Sequence, residues 1–162
     1  MANFSDSPHF STHDDYYTPK SAWASINHLI PKDKVIVEAF MLNSNQSKSA
    51  EYLEELGNTV YYDKRYDFIE ETRLNEKIPI ATKYPKMDMI VSNPPYSKKL
   101  KQAALRKLHE VDKPFIIILN SNILYTNYLR DIFGEDMKHI QVINPRGKIN
   151  FDKYENDTYV PT

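Results

Sequence analysis

The sequence predicts an α/β domain built on a mostly parallel, doubly wound sheet. Short β-branched runs at Val35–Phe40, Thr59–Tyr62, Met87–Val91 and Pro114–Leu119 alternate with stretches whose apolar residues recur at helical spacing. Strands separated by helices are joined by right-handed crossovers, which makes them parallel neighbours covered on both faces. At 162 residues the chain accommodates one such domain with a substantial core and little room for a second.

The elements follow in order. Met1 to Asp15 is polar and reads as a loose arm, leaving 16–162 as the domain. Pro19 suits a first helical turn, and Ala22, Trp23, Ile26, Leu29 and Ile30 carry a helical stripe until Pro31 stops it. Val35–Phe40 is a buried strand. Ala50, Leu53 and Leu56 form one face of a helix closed by Gly57. Thr59–Tyr62 is a second strand, ending at Asp63. Between Glu70 and Lys86 only a short edge element around Ile78–Ala81 has a pattern.

Met87–Val91 gives the next strand. A helix with Leu100, Ala104, Leu108 and Val111 on its apolar face follows, with Lys98, Lys99, Lys101, Arg106 and Lys107 off that face. Pro114–Leu119 is the most apolar strand, as expected for one covered on both sides. A helix through Leu124, Leu129, Ile132 and Phe133 is expected to end near Gly134, and His139–Ile143 to form a further strand. In such sheets ligands bind outside the carboxyl ends of the strands, at the switch point.

Composition narrows the function classes. Twenty-one Lys and Arg against 22 Asp and Glu leave a net charge of −1, so any nucleic-acid contact must be a local basic patch. With no cysteine, disulfides, thiolate metal sites and a cysteine nucleophile are excluded. The five histidines have no metal-ligand spacing, so no metal is expected. MANFSDSPHF lacks the features of a secretion signal, and no apolar run reaches membrane-span length, so the expectation is an intracellular, non-secreted protein without a membrane partner.

The densest chemistry is Asn93-Pro94-Pro95-Tyr96, directly after an apolar strand. Proline fixes φ and removes a donor, so two in succession make a rigid loop rather than a continued ladder. The Asn93 oxygen and nearby carbonyls then become fixed acceptors, and Tyr96 offers a flat face. This set suits a planar substrate bearing an amine. Plainer readings stand beside it. Asn93 could cap a helix beginning at Pro94 or Pro95, and Tyr96 could pack a helix start. Glu38 could be a satisfied strand-end carboxylate. Asp63 and Asp67 are ordinary turn residues, Phe68 and Trp23 suit a core, and the lysines after Tyr96 suit a solvated helix face.

Asn93-Pro94-Pro95-Tyr96 resembles the catalytic motif of S-adenosyl-L-methionine-dependent amino-group methyltransferases, chiefly those acting on the N6 amine of adenine, and the likeness is nearest to small phage and viral DNA adenine methyltransferases. It runs through most of the chain. Tyr17-Thr18-Pro19 through Trp23 is similar to the family's N-terminal cofactor segment. Glu38-Ala39-Phe40 resembles the acidic end of its first strand, Asp63 the acidic residue taking the ribose hydroxyls, and Asp67-Phe68 the pair holding the cofactor's adenine. Lys113-Pro114-Phe115 and Arg146-Gly147-Lys148-Ile149-Asn150-Phe151 are similar to the tail of the small enzymes.

The resemblance implies a class I, Rossmann-like methyltransferase that binds S-adenosyl-L-methionine through Tyr17, Thr18, Glu38, Phe40, Asp63, Asp67 and Phe68. It would methylate adenine in nucleic acid, with DNA the favoured reading over RNA because the likeness is to phage and viral enzymes, at Asn93, Pro94, Pro95 and Tyr96. Tyr96 and Phe151 would hold the base, with Lys98, Lys99 and Lys101 meeting phosphates. The pattern departs from the family twice. The loop Met41–Gln46 has no glycine, and Asp152–Thr162 stands where the family adds a final antiparallel strand. Loss of that strand would leave a sheet edge open to a protein partner or a second copy. Two alternatives remain: a catalytically degenerate domain binding nucleic acid or a protein, and a protein glutamine N-methyltransferase, which uses the same four-residue motif.

Overall fold

The computed structural model describes residues 16–40, 48–62, 87–155 and 158–161. Its centre is a four-stranded, all-parallel sheet of β2 (Val35–Val37), β3 (Thr59–Tyr61), β4 (Met89–Ser92) and β5 (Phe115–Ile117), in the order β3-β2-β4-β5. From β2 the chain crosses to β3 on one side, and from β4 to β5 on the other. The switch point therefore falls between the two inner strands, as an alternating pattern of strands and helices requires.

Helices cover both faces. α1 (Lys20–Ile26) and α2 (Lys48–Glu55) lie over one. There Trp23, Ile30, Ile36, Leu53, Met89 and Val91 form a core cluster. α3 (Lys98–Val111) and α4 (Tyr128–Phe133) cover the other. Their Ala104, Leu105, Leu108, Leu129, Ile132 and Phe133 meet Val37 and Ile90 from the sheet. Successive strand residues point to opposite faces, so Ile36 enters the first cluster and Val37 the second. Gly57, at φ +85°, closes α2 in the left-handed conformation expected of it.

Several expectations are corrected. Pro19 does not enter the first turn of α1. It precedes the helix in an extended conformation at φ −68° and ψ 152°, where its carbonyl accepts from the Ala22 N–H. Lys107 is buried rather than off the apolar face, with its ammonium 3.1 Å from Glu110. Its aliphatic stem covers the core while the charge stays paired. β5 does meet apolar residues on both faces, with Phe115 and Ile117 packing on one cluster and Ile116 on the other. It is nevertheless only half-buried, because it is the outermost strand of the described sheet.

The helix expected over 124–133 is broken into a 3-10 turn, Ser121–Tyr125, followed by α4. At the break the Thr126 hydroxyl donates to the Ile123 carbonyl at 2.7 Å, diverting an acceptor that a continuous helix would use. His139–Ile143 is not a strand. His139 ends a second 3-10 turn, and Val142 and Ile143 are exposed without a partner strand. The segment after Phe151, where a strand was expected to be missing, forms two paired antiparallel strands, β6 (Asp152–Glu155) and β7 (Thr158–Pro161), outside the parallel sheet. It forms a separate antiparallel sheet with β1 (Tyr16–Tyr17), in the order β1-β6-β7. Residues 1–15 and the edge element at 78–81 lie outside the described residues.

Candidate functional site

Both inner strands end at the switch point. Glu38 follows β2 and Asn93 follows β4. Glu38 is buried, and its backbone N–H continues the ladder to the Tyr61 carbonyl at 3.1 Å. Its carboxylate accepts from the Ser92 hydroxyl at 2.5 Å, and the Ser92 oxygen accepts from the Phe40 N–H at 3.1 Å. A fully buried serine thus bridges the carboxyl ends of β2 and β4. Sequence reasoning missed Ser92, although the polar residue closing an otherwise apolar strand was the available signal.

The ladder stops where the motif begins. The Ser92 carbonyl accepts the Ile118 N–H at 3.2 Å, after which two prolines follow Asn93 without donors. Pro94 and Pro95 are buried, whereas Asn93 and Tyr96 are half-buried. The Tyr96 hydroxyl donates to Asn93 Oδ1 at 2.9 Å, which orients the carboxamide. Asn93 does not cap a helix. α3 begins at Lys98, preceded by Ser97. Lys98 and Lys99 are exposed on its first turn, while Lys101 is half-buried.

The small sheet pairs the start of the described chain with the segment that follows Phe151, the residue that meets this loop. Tyr17 is in register with Asp152, next to Phe151. The Phe151 ring stands edge-on to Tyr96, with centroids 5.9 Å apart and planes at 77°. The two rings expected to hold a base are therefore together, but in direct contact with each other. Thr18, just beyond β1, is 1% exposed, and its hydroxyl has no hydrogen-bond partner.

Phe40 is buried in the core, and Trp23 is fully buried in the opposite cluster. Asp63, Asp67, Phe68 and the loop Met41–Gln46 lie outside the described residues. Among the described residues no group of three or more acidic or histidine side chains could hold a metal ion, and no helix is long and apolar enough to cross a membrane. Comparison with protein-family models, with curated proteins and with solved structures finds no match to the chain.

Proposed function

We propose that the protein transfers a methyl group from S-adenosyl-L-methionine to the exocyclic N6 amine of adenine in nucleic acid, with DNA ahead of RNA. The observation that carries this reading is the rigid Asn93–Tyr96 loop at the switch point, beside the buried Glu38. The sequence resemblance adds the identity of the reaction.

A fit to the cofactor is supported by Thr18, whose buried hydroxyl lacks a partner that a bound polar group would provide. Tyr17, Thr18, Glu38 and Phe40 would hold it together with Asp63, Asp67 and Phe68. When bound, it supplies an activated methyl group. The chain's own part is positioning. The Asn93 oxygen and the Pro94 carbonyl accept the two amine hydrogens, which draws the nitrogen lone pair out of conjugation. Asn93 Oδ1 can do this while bonded to Tyr96, because an amide oxygen has two lone pairs. No strong general base is needed, since the amine becomes acidic only as it is alkylated. The remaining acceleration is proximity and orientation.

The adenine must be single-stranded or flipped to reach the loop. For it to stack between two rings, Phe151 must first leave its edge-on contact with Tyr96.

Calorimetry with S-adenosyl-L-methionine, followed by tritiated methyl incorporation into adenine-containing oligonucleotides, tests the proposal. Binding and incorporation are the expected results. Binding of oligonucleotide without cofactor binding would instead make this a degenerate binding domain, and methylation of a glutamine peptide alone would favour the protein-methylating alternative.

Tyr96 gives a graded check. Tyr96→Phe keeps the stacking face but frees the Asn93 carboxamide, and losing one hydrogen bond of about 1 kcal/mol should lower activity about fivefold. Tyr96→Ala also loses a stacking contact of about 1–3 kcal/mol and should raise the oligonucleotide KM steeply. Equal activity in all three proteins would remove Tyr96 from the substrate site.

A further inference from the structure

A second surface adjoins this site. The exposed side of α1 and the irregular segment 143–150 enclose an open cleft of about 570 Å³. Its cationic lining consists of Arg146 and Lys148, with the His28 imidazole beside them, and among the described residues no carboxylate lines it. Ser21, Ser25 and Asn144 add hydroxyl and amide groups. Arg146 and Lys148 are exposed, and among the described residues neither forms an ion pair. Between them Gly147 turns the chain at φ +96°, a conformation that side-chain-bearing residues rarely adopt.

In a protein of net charge −1, a concave surface bearing only positive charge is not a consequence of composition. Its chemistry fits an extended polyanion: a guanidinium and an ammonium for phosphate oxygens, with the Ser21 hydroxyl and the Asn144 amide on the same lining, the Ser25 hydroxyl being already committed to the Ala22 carbonyl. The cleft is also joined through the chain to the motif loop. Asn150 lines it and is bonded to Phe151, whose ring meets Tyr96. A strand with one base at Tyr96 could therefore continue its backbone along the 143–150 wall.

We propose that this cleft binds the phosphodiester backbone of a single-stranded nucleic acid, with Arg146 and Lys148 each contacting a phosphate. The inference rests on the nucleic-acid reading of the Asn93–Tyr96 loop and adds the path of the strand away from it. It also accounts for how a domain with a near-neutral overall charge retains a polyanionic substrate, through a local field rather than a global one.

The test is fluorescence-anisotropy binding to two oligonucleotides of equal length, one containing adenine and one of thymine only, over a range of salt concentrations. Ribo-oligonucleotides run alongside identify the preferred sugar. In the Arg146→Gln, Lys148→Gln double variant, the log–log salt slope should fall by about 1.4, or about 0.7 per lost contact on a single strand. The fall should be equal for both oligonucleotides, because their phosphates are the same. An Arg146→Lys, Lys148→Arg variant should keep the parent slope, and circular dichroism confirms folding.

An unchanged slope in the double variant overturns the cleft assignment and leaves the methyl-transfer reading standing. A loss confined to the adenine oligonucleotide also overturns it, because the residues would then act on the base. If the parent binds thymine oligonucleotide with the expected slope loss in the variant but methylates nothing, the cleft is upheld and the enzymatic reading fails. If the parent binds no oligonucleotide at all, both fail.

Discussion

Asn93→Ala is expected to lower methyl transfer into adenine oligonucleotides by about 10²- to 10³-fold, the usual consequence of removing one preorganised polar group from a reacting centre. The affinity for S-adenosylhomocysteine should stay close to that of the parent. The two readouts separate because the carboxamide belongs to the β4 end of the crevice, facing Tyr96, whereas the proposed cofactor contact Glu38 closes β2. Folding should also be little affected. Asn93 is half-buried, it caps no helix, and the loop is fixed by two buried prolines rather than by this side chain. Tritiated methyl incorporation and calorimetry measure the two quantities on the same preparation. Transfer at the parent rate would assign the amine to another acceptor and withdraw Asn93 from the mechanism.

The second large effect is on stability. Trp23→Ala should cost about 3–5 kcal/mol, the range for emptying a large aromatic from a core. The residue is fully buried among Ile30, Ile36, Leu53, Met89 and Val91, joining α1 to the face of the sheet. Trp23→Phe should cost much less. The indole N–H is buried without an acceptor, so phenylalanine surrenders no hydrogen bond and removes an unsatisfied donor, leaving only the smaller ring volume against it. Urea unfolding of the three proteins gives the comparison. A Phe variant as unstable as the Ala variant would mean that shape, rather than buried area, dominates at this site. Unchanged stability in the Ala variant would place Trp23 outside the core.

These residues also show what a sequence can and cannot disclose. Periodicity was sufficient for the parallel sheet because each of its strands is a short apolar run and each crossover helix has its own stripe. Ile36 and Val37 entering opposite clusters is the direct result of a two-residue repeat. The motif loop was legible because two prolines after an apolar strand leave few backbone options. The errors lie where a pattern depended on a partner. His139 to Ile143 carries three β-branched residues like a strand, yet among the described residues no strand is paired with it. Conversely, no strand was expected over Asp152–Pro161, because β6 and β7 depend on pairing with each other and with β1 rather than on an apolar stripe. Ser92 escaped notice because its importance comes from Glu38, 54 positions away.

The pairing of Tyr16 with Lys153 has a consequence for how the protein acquires its site. Closing so long a loop costs more entropy than forming the local crossovers, so the small sheet is expected to assemble late, on a core already in place. Phe151 would meet Tyr96 only at that final step. A chain still emerging from the ribosome could fold its central sheet before residues 152–153 are free to pair. The same hierarchy operates in reverse, since fraying of β1 from β6 would dismantle the substrate side of the crevice while Trp23 and the inner strands stay packed.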